Sequence, residues 1–353
     1  MSAIRSVEIR GAVPQALLVA ALVASCAEPT RPTGEDRVGP AEAPAAGFVA
    51  STRVTVDGTR FRINGAITYR GRPAEGQLMN VRMVNAVFED TNRPDFDPAA
   101  NTQEFVARMP EYVSLGVRAF TVGLQGGWPG YGPFLNTAFL KNGDLKPTYL
   151  ARVAKVIERA DDLGAVIILV LYYQRQDHLL EDAQAIRNGV AKTADWLRQK
   201  GYRNVILEVV NEYKHRGFEH AILHSDASVA DLIRLAKQRY PGLLVSASHV
   251  RNGKTSARVA GASDLIIVHF NSLALSAIPD SVKAIRRAYP GKPILCNEDQ
   301  RVGSAAAAAA SASVQAGASY GLMLERKNQH YPFEFQGRSD DPVVYDRYVA
   351  LTR

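Results

Sequence analysis

Eight short apolar runs, each followed by a polar cluster, punctuate the chain from residue 77 onward, and no other feature restricts its fold as strongly. They are Gln77 to Phe88, Arg118 to Leu124, Ala165 to Tyr172, Asn204 to Val210, Leu243 to Ser248, Leu265 to Phe270, Pro293 to Cys296 and Gly321 to Leu324. Between most of them lie segments with helical apolar spacing: Thr102 to Leu115, Pro147 to Leu163, Leu180 to Lys200, Val229 to Tyr240, Val282 to Tyr289 and Ser304 to Ala316. Glycines 116, 164, 201, 242, 291 and 317 stand where these helices should stop. Unbroken apolar strands alternating with helices specify a parallel sheet covered on both faces. Eight of them within about 300 residues predict an α/β fold of the (β/α)₈ TIM-barrel type. The alternative is a doubly wound open sheet, but no Gly-x-Gly-x-x-Gly follows the first strand. Arg53 to Val56 and Arg60 to Ile63, separated by Asp57-Gly58, predict a short hairpin that closes the barrel floor.

The first 26 residues read as an export signal. Arg5 and Arg10 precede a small-residue apolar stretch, Ala12 to Val23, too short to span a bilayer, and Val23-Ala24-Ser25-Cys26 follows. Those four residues resemble the bacterial lipoprotein signal, which implies lipidation of Cys26, a membrane anchor and a place in the cell envelope. With Ala27 next to the cysteine, the same resemblance favours the outer membrane. The alternative is a plain secretory signal cut near Ser25 or Ala27. Residues 27–50 are rich in Pro and Ala without apolar periodicity and read as a flexible tether, leaving 51–353 for the barrel. Cys296 is the only other cysteine and lies in an apolar run, so a disulfide to the tail is not expected.

The formal net charge is +7, but Lys and Arg form no run of five or more and no basic stripe with interleaved aromatics. Nucleic acid is therefore not an expected partner. No Gly-x-Ser-x-Gly elbow points to a serine hydrolase. His215, His220 and His224 are spaced suggestively, yet no His-Glu-x-x-His or acidic partner joins them, so a helix-surface cluster is expected rather than a metal site.

Active sites of this fold form at the carboxyl ends of the strands, so the residues closing each apolar run carry the functional information. The fourth run delivers Asn211-Glu212, and the seventh delivers Asn297-Glu298. Strands four and seven face each other across an eight-strand barrel, so the two carboxylates can converge over its axis. Glycoside hydrolysis needs such a pair, one to protonate the leaving oxygen and one to attack the anomeric carbon or activate water. Around them, Asn80, Arg82, Gln125, Trp128, Tyr172, Asn211, His269 and Asn297 are candidate sugar contacts, with Tyr131 and Tyr173 as further stacking candidates. Glu208, inside the fourth strand, is expected to face a polar barrel layer instead.

A strand-four Asn-Glu with a strand-seven Glu resembles the clan A glycoside hydrolases. Leu78-Met79-Asn80-Val81-Arg82-Met83-Val84, Leu124-Gln125-Gly126-Gly127, Tyr202-Arg203-Asn204-Val205 and Asn297-Glu298-Asp299 are similar to a bacterial cellulase-like barrel group. The resemblance implies Glu212 as acid/base, Glu298 as nucleophile, Asn211 as a partner of the sugar 2-hydroxyl, retention of configuration, and no cofactor or metal. Two positions depart from it. Many clan A cellulases carry tyrosine two residues after the strand-six histidine and tryptophan after strand eight. This chain has Asn271 and Glu325-Arg326-Lys327 there. An ordinary cellulase substrate is therefore not expected, and the charged strand-eight end suits an acidic or unusually linked glycan. The rival readings are a non-catalytic carbohydrate-binding lipoprotein and a metal-dependent barrel hydrolase.

Overall fold

The computed structural model describes residues 48–353. The expected export signal, Cys26 and nearly all of the 27–50 tether lie outside the described residues. The described chain opens with β1 (Val54–Asp57) and β2 (Arg60–Ile63), which pair antiparallel, and β3 (Ala66–Ile67) adds to β2. Just before β1, the Asp161 carboxylate accepts hydrogen bonds from the Ser51 and Thr52 amides and the Ser51 hydroxyl, fastening this end of the chain to the barrel.

Eight parallel strands follow: β4 (Asn80–Arg82), β5 (Ala119–Gly123), β6 (Val166–Tyr172), β7 (Val205–Val210), β8 (Leu244–Ser246), β9 (Ile266–His269), β10 (Ile294–Glu298) and β11 (Gly321–Leu322). Continuous ladders run in the order β11-β4-β5-β6-β7-β8, and β9 pairs with β10. Parallel bridges Ser248–Ile267, Leu295–Ser319 and Asp299–Leu322 join the two sets. The strands close on themselves, and the fold is the expected (β/α)₈ barrel. Closure is tight where β11 meets β4. A Cβ at Gly321 would lie 2.3 Å from Asn80 Oδ1 and 2.6 Å from Asn297 Cα, so only glycine fits.

Side-chain alternation divides each strand between the barrel axis and the helical layer. Met79, Val81, Phe120, Val122, Ile167, Leu169, Leu207 and Val245 face outward into the large core shared with the helices. Leu78, Ala119, Val166, Ile168, Ile206, Leu244, Leu265, Ile267 and Leu295 fill the barrel axis, and Val54 and Phe61 of the hairpin plug them from below. The hairpin thus closes the floor as its sequence predicts.

The helices are α1 (Pro98–Ser114), α2 (Pro147–Asp162), α3 (Ala183–Lys200), α4 (Asp226–Arg239), α5 (Ala257–Ala262), α6 (Ile278–Ala288), α7 (Gly303–Ala316) and α8 (Pro342–Thr352). Capping chemistry explains where several depart from apolar periodicity. Asp97 accepts from the Ala99 and Ala100 amides with Pro98 in the first turn, so α1 starts four residues before the periodic segment. The first strand is shorter than its apolar run because Val84–Val87 turns into a 3₁₀ helix after Arg82. At the other extreme β10 runs two residues further than the sequence suggests, carrying Asn297 and Glu298 within the strand.

Candidate active site

Glu212 and Glu298 meet at the carboxyl end of the barrel. Glu298 ends β10, where the pairing register with β9 shifts between Cys296 and Glu298. Strict alternation would put Cys296 and Glu298 on one face. The irregularity instead leaves Cys296 in the outer core, Asn297 on the axis and Glu298 at the mouth. Re-aiming a side chain beside a site is what a bulge does. Glu212 lies two residues beyond β7 in a left-handed conformation, φ 54°, and its amide donates to Ser248 Oγ at 2.9 Å. Such a backbone costs on the order of 1–3 kcal/mol for a non-glycine residue and persists where surrounding contacts impose it.

His269, the last residue of β9, ties the pair together. Its Nδ1 lies 2.9 Å from Glu212 Oε1 and 3.6 Å from Glu298 Oε2. One carboxylate oxygen of each glutamate and a ring nitrogen of His269 all fall within 4.8 Å of one another. On its other side Glu298 accepts from Asn271 Nδ2 at 2.5 Å and faces the Arg82 guanidinium at 3.0 Å. The same Arg82 nitrogen donates to Asn211 Oδ1 at 3.0 Å, so one buried cation positions both the nucleophile candidate and the residue preceding Glu212.

These contacts set the charges. Burial by itself would raise the pKa of Glu298, but Arg82, His269 and the Asn271 amide together outweigh it and hold this carboxyl below its ordinary range. Burial likewise opposes the charged form of His269, and the carboxylates of Glu298, Glu212 and Glu208 reverse that, raising its pKa. Glu208 sits lower on the axis, fully buried, and accepts from Asn297 Nδ2 at 2.7 Å. Burial dominates there and pushes its pKa up despite His269 and Arg82. The surroundings therefore shift the two carboxyls in opposite directions, Glu298 down at the mouth and Glu208 up beneath it.

The predicted sugar contacts divide into two groups. Arg82, Asn211, His269 and Trp128 belong to the site or its cleft. Asn80, Gln125, Asn297 and Tyr172 do not face the cleft. Asn80 Nδ2 donates to backbone carbonyls of Leu78, Cys296 and Tyr320 inside the barrel. Gln125 is fully buried, donating to Gln176 O and Thr137 Oγ1. Asn297 serves Glu208. Tyr172 packs on Phe139 and donates its hydroxyl to Ile186 O in α3. Alternation breaks at the top of β6, where Leu171 and Tyr172 both join the outer core, and Tyr173 takes the cleft position instead.

The cleft has a volume of about 380 Å³, with Glu298 in its lining. Trp128, Phe134 and Tyr173 give it aromatic walls, and Gln174, Arg175, His215, Asn271, Gln300 and Glu325 add polar groups. Asn271 was visible in the sequence only as a departure from the family pattern, and Arg175 was not singled out there. Of the charged strand-eight end, Glu325 alone lines this cleft, paired with His330 at 3.1 Å, while Lys327 faces Glu334 at 3.8 Å. A second hollow, about 270 Å³, lies at the opposite end beside the hairpin, lined by Arg53, Tyr202, Arg203 and Tyr240 and by no carboxylate.

Among the described residues, the group of metal-type ligands that does converge is Glu212, His269 and Glu298. Arg82 already supplies fixed positive charge at Glu298 there. His215, His220 and His224, whose spacing is suggestive in the sequence, do not form a common centre. His220 and His224 each contact a separate backbone carbonyl, Leu180 O and Phe218 O, and His215 Nδ1 accepts from the Gly217 amide.

No family model and no curated protein matches the sequence. Solved structures do match it in shape, glycoside hydrolases among them. An endo-1,4-beta-mannanase from Eisenia fetida aligns over 85% of this chain and 95% of its own, at 12% identity and a TM-score of 0.56. A glycoside hydrolase family 5 enzyme from Prevotella bryantii covers 78% and 96%, at 9% identity and 0.56. An exo-beta-1,4-mannosidase from an Opitutaceae bacterium covers 85% and 62%, at 13% identity and 0.57. The likeness is one of fold. What this particular barrel does rests on its own residues.

Proposed function

We propose that the protein is a retaining glycoside hydrolase in which Glu298 is the nucleophile and Glu212 the general acid/base. The observation that carries this reading is the proximity of the two carboxylates, with an oxygen of each within 4.8 Å, across His269. Retaining enzymes hold their carboxyl groups about 5–5.5 Å apart, whereas inverting enzymes need about 6.5–9.5 Å to seat a water. In the first step the Glu298 carboxylate attacks the anomeric carbon. The glycosidic C–O bond breaks, and the leaving oxygen takes the proton of Glu212. In the second step Glu212 accepts a proton from water as the water oxygen attacks the same carbon, and the ester to Glu298 breaks. The low pKa direction of Glu298 suits the group that must be ionised. Asn211, held by Arg82, is placed to meet the sugar hydroxyl next to the reacting carbon.

The known activities of the structural neighbours, on mannans among others, support a carbohydrate substrate for this barrel. The expected result of a glycan-panel digest is cleavage by the native protein and none by Glu298→Gln or Glu212→Gln. Proton NMR of the first product should show retained anomeric configuration. Cleavage that survives Glu298→Gln would overturn the reading, and binding without cleavage would favour the capture protein. We further propose that the barrel is displayed in the bacterial envelope by lipid on Cys26. Cys26→Ala should release it from the membrane fraction. Release without change in its mass relative to an unlipidated chain would identify the simple secretory route.

A further inference from the structure

The cleft contains a cation, Arg175, with no carboxylate partner among the described residues. Arg175 lies three residues beyond β6, and its backbone is left-handed at φ 66°, a conformation that L side chains rarely adopt. Its amide donates to Gly217 O at 2.8 Å. Gly217 also makes room for the side chain, since a Cβ there would lie 3.1 Å from Arg175 Cγ. The guanidinium then extends over the Trp128 ring, 5.3 Å from its centroid. Stem and head are therefore both placed, and the strained backbone is what aims them. Arg82 and Arg301 are paired, with Glu298 and Asp299, whereas Arg175 pairs with no carboxylate among the described residues. The nearby acid of the cleft wall, Glu325, lies 3.1 Å from His330.

A guanidinium fixed against an indole presents its free edge as a planar fork, the geometry that matches a carboxylate through two parallel hydrogen bonds. The tryptophan beside it offers a face for a sugar ring. We infer that Arg175 and Trp128 form a subsite for an acidic sugar and that the substrate is a uronate-containing glycan, the carboxylate binding Arg175 while a neighbouring residue of the chain reaches Glu298. The net charge of +7 agrees with a polyanionic substrate, whose approach it would accelerate at low ionic strength. The inference rests on the glycosidase reading and places the acid-reading role on the strand-three loop, away from the charged strand-eight end.

The test compares a uronate oligosaccharide with the same oligosaccharide after reduction of its carboxyls to alcohols. For the native protein kcat/KM should be at least about tenfold higher on the acidic form, and Arg175→Gln should lower kcat/KM on the acidic form far more than on the reduced one, so that the preference disappears. Arg175→Lys should restore only part of it, because an ammonium lacks the fork. Cleavage of neutral glycans alone, or a preference untouched by Arg175→Gln, would overturn the inference and leave the glycosidase reading standing. If no glycan is cleaved, calorimetry with Glu298→Gln decides separately. Binding of the uronate oligosaccharide that weakens at least about tenfold with Arg175→Gln sustains the subsite. Equal binding of both forms, or none, ends it.

Discussion

Below Asn80 the barrel axis holds Leu78, Val166, Ile168, Ile206, Leu244, Ile267 and Leu295, sealed by Val54 and Phe61. Above it the same strands present Arg82, Thr121, Glu208, His269 and Asn297, and Glu212 and Glu298 crown them. The same strands build both halves, and the halves differ in what the inward positions carry and in the breaks of alternation at the tops of β6 and β10. The lower half gains free energy from apolar burial and asks nothing of charge. The upper half buries ionised groups whose mutual attraction must first offset their desolvation, an arrangement that contributes little to stability. Its several buried atoms without a protein partner, among them Arg82 Nε, Glu208 Oε1 and His269 Nε2, mark the same contrast. The division suggests that folding depends on the floor and chemistry on the mouth, and substitutions in each half should separate the two.

The largest separation is expected from Glu298→Gln. It keeps the shape of the side chain and an oxygen facing Arg82, but removes the nucleophile. Activity on any cleaved glycan should fall by about 10³-fold or more with the far-UV circular dichroism unchanged. Ile206→Ala makes the converse cut in the floor. Loss of a fully buried side chain from a packed layer should cost about 2–5 kcal/mol in denaturant unfolding, with kcat of the folded fraction unaltered. If Ile206→Ala changes kcat as strongly as it changes stability, the two halves are not independent.

A smaller effect should come from Asn271→Ala. Burial raises the pKa of Glu298, and Arg82, His269 and the Asn271 amide bring it down. Removing the amide takes away one of the opposing contributions, so the pKa rises. The acidic limb of the kcat/KM profile, which reports ionisation of Glu298, should therefore move to higher pH. The loss above that limb should be about tenfold, as suits one hydrogen bond to a charged group. An unmoved limb would mean that Asn271 only fills space.

Much of the floor was legible in the sequence and less of the mouth. Each of the eight apolar runs holds a strand, with β10 alone overrunning its run by two residues, because Val, Ile and Leu at unbroken spacing specify burial whatever lies at the ends. Helices α5 and α8 were not foreseen. The first has only six residues, and the second is carried by Tyr345 and Tyr348 packing rather than by a clear stripe. The convergence of Glu212 and Glu298 was legible because strand order alone places them opposite one another. Tyr172 was misjudged because alternation fails at the top of β6, which hands the cleft to Tyr173. Asn297 follows alternation from Leu295 onto the axis and serves Glu208 below the cleft, and the bulge in β10 re-aims Glu298 instead. Arg175 left no signal, since its role depends on a left-handed turn and on Gly217, some 40 residues away in sequence.

The finest test of the division lies at its boundary, on Glu208. This carboxyl is fully buried, and burial raises its pKa more than His269, Arg82, Ser248 and Asn297 lower it. In the unfolded chain it titrates near the ordinary value of about 4.3. Between that value and its raised native one, the folded protein binds the extra proton, so Glu208 makes stability decline as pH increases through this window. His269 contributes in the same direction. Its raised pKa gives stability that is complete below about 6.5 and lost as pH climbs through the native value. Glu208→Gln keeps an acceptor for Asn297 and cannot ionise, so it should flatten the part of the decline that begins in the acidic range and leave the His269 part at higher pH. Urea midpoints measured across pH 4–8 would show the difference, expected to be the smallest of these effects. A slope identical to that of the native protein would mean that Glu208 is ionised on folding, and that the charged layer reaches one level deeper into the barrel than the comparison of floor and mouth allows.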